Sequence, residues 1–385
     1  MQFMPHDKQQ TSQTWPQSLA IAGAWGYIGR KFLEASQQLG LQPSVFDPGP
    51  APADIPTDQY RRIIEEEAFY RQPADLFHLA LPPDARQRGL DILLRRSRSG
   101  PLAILNEKPM VAPEHPQHGR QLIKAVDHSG ALMLFDFLEL YSPLTEIVLG
   151  HLSKFREVTI HSFDMLRSKD REDIANLRNY KRMTPIQFQE SVHCLAWILF
   201  FLARLRGGLA AALDGGLKIT AESEPYSPPN PQDYPYVVDG RCVWQLQCGE
   251  TSVTARTDFK RHAPWTKRRV ARGIADGQPF EIEAEYLEGK KRLLINGVDQ
   301  QVDPRANSYA QVISTFARWR GKLSREELLA GVYPNPRFAQ VTYQLSSALW
   351  RAGFDRRPLQ FKSLQSLLDF DAGFAAAVPW LGRYG

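Results

Sequence analysis

The stretch Ile21-Ala22-Gly23-Ala24-Trp25-Gly26-Tyr27-Ile28-Gly29-Arg30-Lys31 decides the fold class of this 385-residue chain. It follows a short apolar run, residues 19–22, and it opens a helical pattern over residues 30–39. Glycines let a backbone approach a pyrophosphate closely, and a helix N-terminus presents unpaired N–H groups to its negative charge. A strand, a glycine turn and a helix in this order therefore predict a dinucleotide-binding corner. The residues expected against the dinucleotide are Gly23, Trp25, Gly26, Tyr27, Ile28 and Gly29.

The spacing of these glycines is irregular. They read G-x-x-G-x-x-G, and the shorter frame over residues 24–29 begins with alanine, so a tight turn without a ligand is the alternative interpretation. Asp47 favours the cofactor, because it closes a second short strand at 43–46, where an acid binds a ribose 2′-hydroxyl and repels a 2′-phosphate. No Arg or Lys stands in residues 48–52. The pattern predicts NAD, with NADP less favoured.

Length and composition set broad limits. A chain of 385 residues favours two domains, and 43% hydrophobic residues can fill a large core. Cys194, Cys242 and Cys248 show no metal-ligand spacing, which suits a reducing cytosol, and we expect no metal site. The polar N-terminus lacks a signal-peptide pattern, and the best apolar run, 194–205, is too short to span a membrane. These features predict a cytoplasmic protein with no membrane partner.

Two basic runs raise the question of nucleic-acid binding. Arg95-Arg96-Ser97-Arg98 ends a predicted helix, where cations offset the helix dipole, and Lys267-Arg268-Arg269 falls in a predicted loop. No recognised nucleic-acid motif accompanies either run, and the net charge is only +5. We therefore expect both runs to be solvated surface and expect no nucleic-acid partner.

The first part of the chain alternates between two patterns. Predicted strands lie at 19–22, 43–46, 76–81, 102–106 and 131–135, and predicted helices at 29–39, 59–70, 84–99 and 116–128. This alternation favours α/β architecture with a doubly wound parallel sheet, the Rossmann arrangement.

The second part of the chain changes character. A strand at 155–165 and a long helix at 184–205 precede a Pro-rich loop at 224–235. Helices return at 308–321 and 335–352. Between them, residues 237–302 read as strands with turns at Asp239-Gly240, Cys248-Gly249, Asp276-Gly277, Glu288-Gly289 and Asn296-Gly297. Such closely spaced turns predict an α+β domain with an open, mostly antiparallel sheet.

The predicted domain boundaries follow from these changes of pattern. They are a flexible leader at 1–17, a Rossmann dinucleotide-binding domain at 18–142, a substrate and oligomerisation domain at 143–353, and a C-terminal extension at 354–385. An open antiparallel sheet commonly buries its free face on a partner, so we expect a homo-oligomer through that sheet.

The strand at 102–106 runs into Glu107-Lys108-Pro109, and Leu81-Pro82 ends a neighbouring strand. Side chains at the carboxyl ends of parallel strands face the ligand crevice. With the glycine turn at 23–29, these segments resemble the glucose-fructose oxidoreductase / inositol dehydrogenase / MocA family, over roughly residues 18–353. The resemblance implies that Leu81, Pro82, Glu107 and Lys108 line the cofactor site.

The resemblance also implies a histidine on a second-domain helix that faces the lysine, four residues after an Asp or Asn. His193 fits, but the position four before it is Gln189, which cannot titrate. Glu190, three residues before His193, lies on the same face of an α-helix and could orient the imidazole. The predicted catalytic residues are Lys108, His193 and Glu190. Tyr141, Tyr180 and Gln189 join Lys108 and His193 as predicted substrate contacts.

These residues suit hydride transfer between a nicotinamide and a secondary alcohol or ketone. Oxidation needs a base for the hydroxyl proton, and burial lowers the pKa of a lysine toward the working range. The resemblance implies a small polyol-like substrate: a sugar, a cyclitol or a derivative. Two alternatives stay open. One is a dinucleotide-binding regulator or scaffold without turnover, and the other is a reductase of C=N or C=C bonds.

Overall fold

The first sheet of the computed structural model is parallel throughout. The structure describes residues 15–171, 184–225, 239–259 and 265–377. The strands are β1 (Leu19–Ala22), β2 (Ser44–Phe46), β3 (Arg61–Arg62), β4 (Leu76–Leu79), β5 (Leu102–Glu107) and β6 (Ala131–Asp136). Their order, β3-β2-β1-β4-β5-β6, is that of a doubly wound dinucleotide-binding sheet. The predicted Rossmann arrangement is confirmed.

Helices join these strands. They are α1 (Tyr27–Gln38), α2 (Glu66–Arg71), α3 (Pro83–Arg96) and α4 (Gln117–Asp127). The predicted helix at 59–70 is wrong: a 3-10 turn, Thr57–Gln59, precedes β3, and α2 starts only at Glu66. The backbone of residues 61–62 pairs with β2 as an edge strand, and this distant pairing outweighs local helix propensity.

The second sheet is mixed and mostly antiparallel, as predicted. Its strands are β7 (Val158–Ser168), β8 (Leu217–Pro225), β9 (Asp239–Cys248), β10 (Thr251–Asp258), β11 (Lys267–Ala275), β12 (Gln278–Glu285), β13 (Arg292–Ile295), β14 (Val298–Asp299) and β15 (Leu359–Phe361). Their order is β14-β13-β12-β11-β7-β10-β9-β8-β15, and β7 with β10 is a parallel pair. Strand β15 comes from the predicted C-terminal extension, so residues beyond 353 complete this sheet.

The hairpin turns follow the predicted dipeptides with one exception. Asp276-Gly277 and Asn296-Gly297 both have positive φ at each residue, the conformation that a two-residue hairpin turn requires. Asp239-Gly240 instead opens β9. The first two residues of the predicted Pro-rich loop at 224–235 belong to β8, which ends at Pro225. The rest of that loop lies outside the described residues.

The remaining helices follow the first sheet in the chain. They are α5 (Pro143–Leu152), α6 (Val192–Arg206), α7 (Leu209–Ala212), α8 (Ser308–Lys322), α9 (Arg325–Ala330), α10 (Pro336–Asp355), α11 (Leu364–Leu368) and α12 (Phe374–Ala377). Among them, α6 and α10 pack on the second sheet. A π-helical turn, Gln187–Ser191, leads into α6. Helix α10 packs on β8 and α6 and also reaches α4 and β6, so it joins the two parts of the molecule.

The long helix predicted at 184–205 is present as the π-helical turn and α6. Among the described residues, Gln187–Arg206 is one 20-residue helical run that is long and apolar enough, by length and composition alone, to cross a membrane. In the structure 83% of its apolar window is buried inside the protein. Its apolar side chains therefore build the core between the second sheet and α10.

Candidate active site

The glycine turn brings β1, α1 and β4 into close contact. Gly23 has φ of +77°, and a Cβ there would lie 2.5 Å from the Ala80 carbonyl oxygen. A Cβ on Gly29 would lie 2.2 Å from the Gly23 carbonyl oxygen. Helix α1 starts directly after Gly26, without a side-chain cap. Only glycine fits at 23 and 29, and the first-turn N–H groups of α1 carry no side-chain cap.

Asp47 follows β2 and closes this corner. Its carboxylate accepts hydrogen bonds from the backbone N–H groups of Trp25 and Gly49, each at 3.0 Å. Arg62, from β3, donates to the Gly49 carbonyl at 2.8 Å, and its guanidinium lies 6.0 Å from the Trp25 ring. The sequence places no cation just after Asp47, but the fold supplies one from β3. In such a corner an acid like Asp47 favours the ribose 2′-hydroxyl of NAD, whereas an arginine like Arg62 favours the 2′-phosphate of NADP.

The Glu107-Lys108-Pro109 segment lies at the carboxyl edge of β5, beside Leu81 and Pro82 at the edge of β4. The Lys108–Pro109 peptide bond is cis. Arg86 of α3, a buried residue, donates to the carbonyls of Pro109 and Met110, the latter at 3.0 Å. The sequence analysis did not single out Arg86. Its guanidinium fixes the backbone that carries Lys108.

The Glu107 side chain belongs to a buried cluster of titratable groups. It contacts the buried His78 Nε2 at 3.2 Å, and the ligand atoms of His78, Glu107 and Asp136 lie within 4.8 Å of one another. Burial and the neighbouring Glu107 raise the pKa of Asp136 well above its ordinary value. Such spacing could hold a metal ion, but two carboxyl groups this close and this buried can also share a proton. The expected contact of Glu107 with the cofactor stays a prediction.

Lys108 connects the two domains. Its Nζ donates to the backbone carbonyl oxygen of Gln189 at 2.9 Å, within the π-helical turn that precedes α6. Burial lowers the pKa of Lys108 below the 10.5 of a solvated lysine, and Glu190 and Glu107 oppose that shift. Gln189 thus contacts Lys108 through its backbone, whereas the prediction concerned its side chain.

His193 lies in the first turn of α6 and is 7% exposed. Its Nδ1 atom is buried and has no hydrogen-bond partner among the described residues. Burial, then Arg167 and Lys108, hold the pKa of His193 well below 6.5, so the imidazole is neutral at neutral pH. A neutral imidazole close to a lysine of lowered pKa is an arrangement suited to proton transfer.

Glu190 does not orient His193 in this structure. One carboxylate oxygen accepts from Arg167 Nε at 2.6 Å, and the other accepts from Lys169 Nζ at 3.0 Å. Burial alone would raise the pKa of Glu190, but Lys169, Arg167 and Lys108 hold it well below its ordinary value. Glu190 therefore pairs with Arg167 and Lys169, while its charge still opposes the lowering of the His193 pKa.

Tyr141, a predicted substrate contact, packs in the core. Tyr141 is fully buried, its hydroxyl donates to the Phe135 carbonyl at 2.9 Å, and its ring packs against Trp319. Its phenol is therefore engaged in the core. Tyr180 lies outside the described residues.

Sequence reasoning missed the cations of the second sheet. Lys267-Arg268-Arg269, interpreted as a solvated loop, opens β11, and Lys267 stands directly opposite Arg167 of β7. Arg167 also pairs with Glu139, and Glu139 in turn binds Arg269 at 2.8 Å. The signal in the sequence was alternation, because residues two apart on a strand share a face. Which strands would meet could not be read from it.

The fold is a Rossmann domain joined to an α+β domain with an open sheet. No family model and no curated protein sequence matches this chain. Solved structures share its fold. A myo-inositol dehydrogenase from Corynebacterium glutamicum is 14% identical, with a TM-score of 0.62, over 89% of this chain and 98% of that one.

Two further structures widen the comparison. An oxidoreductase from Agrobacterium radiobacter, in complex with NAD⁺, L-tartaric acid and magnesium, is 11% identical, with a TM-score of 0.67, over 91% and 99% of the two chains. The transcriptional regulator Gal80p from Kluyveromyces lactis is 11% identical, with a TM-score of 0.61, over 92% and 96%. The expected fold of the glucose-fructose oxidoreductase / inositol dehydrogenase / MocA family is therefore confirmed. Identities this low show the fold alone.

Proposed function

We propose that this protein is a nicotinamide-dependent oxidoreductase that interconverts a secondary alcohol and a ketone on a small polyol-like molecule. The observation that carries the proposal is the position of Lys108. It directly follows β5, at the same edge of the sheet as the glycine corner, and its Nζ reaches across to the turn before His193, 2.9 Å from the Gln189 carbonyl oxygen. The dehydrogenase and the oxidoreductase of the same fold favour this chemistry.

The residues present fit a dinucleotide. Gly23 and Gly29 leave a cradle that a Cβ would fill, the first turn of α1 carries no side-chain cap, and Asp47 stands at the end of β2. The nicotinamide, when bound, would accept or supply the hydride. Asp47 favours a ribose diol, so NAD is the proposed cofactor, even with Arg62 at the Gly49 carbonyl.

Lys108 and His193 would manage the proton of the substrate hydroxyl. In oxidation, a deprotonated Lys108 accepts this proton as the carbonyl forms. In reduction, the protonated ammonium polarises the carbonyl and returns the proton. The neutral imidazole of His193 can accept a hydrogen bond from the same hydroxyl. Gln189, in the place of the family's acid, cannot relay a proton, so Lys108 is the proposed general base.

The test is turnover across a panel of cyclitols, sugars and sugar acids with NAD or NADP, followed by the absorbance of the reduced nicotinamide. Lys108→Met should lower kcat by about 10²- to 10⁴-fold while the dissociation constant for NADH changes little. Lys124→Met, on the exposed surface of α4, is the matched control. Near-normal rates in Lys108→Met would overturn the proposed chemistry.

A second candidate is a regulator that binds dinucleotide without turning it over. The irregular glycine turn and Gln189 favour it, and the transcriptional regulator Gal80p shares the fold. NADH binding without turnover on any member of the panel would support it. A reductase of C=N or C=C bonds is the third alternative, and turnover of imine or enone substrates alone would support that one.

A further inference from the structure

Cationic side chains gather around Lys108 and His193, where Glu107, Asp136, Glu139 and Glu190 are the acids that act on them. The second sheet and the Glu107-Lys108-Pro109 segment converge here, and we call this set of cations the cationic cluster. Its members are Lys108, Arg167, Lys169, Lys267 and Arg269. Asp170 and Arg171, the next two residues of the chain, cancel in charge. The acids among the described residues that bind these cations are Glu139 and Glu190.

The strand register holds two members of the cationic cluster next to each other. Arg167 of β7 and Lys267 of β11 are directly opposite each other in an antiparallel ladder, so their side chains share the inner face. Like charges in that position repel each other and destabilise the pair. Burial, then the neighbouring Arg167, lower the pKa of Lys267 to about 8. The fold therefore keeps two like charges, Arg167 and Lys267, opposite each other beside the proposed catalytic residues.

On the outer face of β11, by contrast, the cations are paired with acids. Arg268 pairs with Glu283 at 2.8 Å, and Arg272 pairs with Glu281 at 2.6 Å, both across β11 and β12. On the inner face, the ammonium of Lys267 has no ion-pair or hydrogen-bond partner among the described residues. One strand thus carries matched arginines on its outer face and an unmatched lysine on its inner face.

The nearby acids Glu139 and Glu190 favour the charged form of Lys267 but do not pair with its ammonium. Both oxygens of Glu190 are occupied by Arg167 and Lys169, and Glu139 is shared by Arg167 and Arg269. Unpaired positive charge in a partly buried crevice strengthens the attraction for an anion, because water screens it less there. A neutral polyol would leave this charge without a partner.

We propose that the substrate carries an anionic group, a carboxylate or a phosphate, which binds to Lys267 at the edge of the cationic cluster while its hydroxyl carbon lies at Lys108. This inference rests on the proposed function and narrows its substrate class from neutral polyols to acidic ones. A carboxylate and a phosphate make the same charge-assisted hydrogen bonds to an ammonium, and the assay separates the two.

The experiment compares kcat and KM for three probes: myo-inositol, gluconate and glucose 6-phosphate. We expect the preferred probe to be one of the two anions, with a KM that rises with ionic strength, whereas the KM of the neutral probe does not. Lys267→Gln should raise the KM for that anion about 10- to 100-fold with a smaller change in kcat, and Lys267→Arg should restore most of the loss. Arg272→Gln, on the outer face of β11, is the matched control and should leave the KM unchanged.

The outcomes separate the two proposals. Failure of all probes, with both cofactors, counts against the proposed function itself. Turnover of myo-inositol at least as efficient as that of both anions, or Lys267→Gln with an unchanged preference between neutral and anionic probes, would overturn the anionic substrate and leave the oxidoreductase intact. Preference for gluconate assigns a carboxylate, and preference for glucose 6-phosphate assigns a phosphate.

Discussion

Glu190→Gln removes one negative charge from the buried ion network and should be the most destabilising conservative change near the site. Glu190 is 1% exposed, and its two oxygens accept from Arg167 at 2.6 Å and from Lys169 at 3.0 Å. Removing one partner of a buried ion pair costs about 3–5 kcal/mol, because the other charge stays buried. Glutamine keeps the volume and one acceptor oxygen, so we expect about 3 kcal/mol, the lower end of that range.

Urea denaturation followed by tryptophan fluorescence measures this loss. Trp197 and Trp244 lie in the core of the second domain and report on the network. The control is Glu283→Gln, the same substitution in a half-exposed pair with Arg268, which should cost less than about 1 kcal/mol. Equal losses in the two variants would refute the argument that burial makes the difference.

The pH dependence gives the same prediction a second readout. The folded-state pKa of Glu190 is held below its unfolded value, so its contribution is fully present above the unfolded pKa of about 4.3 and is lost as pH falls through the folded pKa. The stability gap between the wild-type protein and Glu190→Gln should therefore narrow as the pH is lowered below about 4. A constant gap from pH 7 to pH 3.5 would show that Glu190 titrates normally in the folded protein.

Four further predictions follow from the site. His193→Ala should lower kcat by about 10²-fold with unchanged NADH affinity, and a variant with a normal kcat would exclude the imidazole from the reaction. In the wild type the oxidation rate should rise with pH as Lys108 loses its proton, through a pKa below 10.5. Gly29→Ala places a Cβ 2.2 Å from a backbone oxygen and should abolish the thermal stabilisation by NADH, whereas Gly150→Ala, in open space on α5, should retain it. NADH should bind more tightly than NADPH, and Asp47→Asn should narrow the difference; tighter NADPH binding in titrations of the wild type would contradict the role of Asp47.

The elements that the sequence predicts well are those whose signals are local. The glycine turn, the alternation of strand and helix up to 136 and the Asp-Gly and Asn-Gly hairpins each depend on neighbouring residues. Strands β3, β8 and β15 were missed, and all three depend on pairing with distant segments. The parallel pairing of β7 with β10 was not predicted either. The turn signals in the sequence indicate only successive hairpins, and hairpins alone would make the sheet antiparallel throughout.

The same difference between local and long-range signals applies to the residues of the site. Lys108 and His193 were predicted from the strand edge at Lys108 and from the family resemblance, both of which rest on short stretches of sequence. The opposition of Arg167 and Lys267 was not found, because it requires the register between β7 and β11, more than ninety residues apart in the chain. Lys267 was read as a loop residue, and that reading hid the charge from which the anionic substrate is now inferred.

The misplaced role of Glu190 has a specific physical cause. Placing Glu190 and His193 on one face assumes 3.6 residues per turn, the α-helical value. Residues Gln187–Ser191 form a π turn, whose i→i+5 hydrogen bonds take more residues for each revolution. In this turn the Glu190 carboxylate pairs with Arg167 and Lys169 on the sheet. The same turn presents the Gln189 carbonyl to Lys108, so one local departure from α-helical geometry creates the contact between the two domains at the proposed general base. Such turns are frequent at functional sites, and this one places its irregular backbone against Lys108.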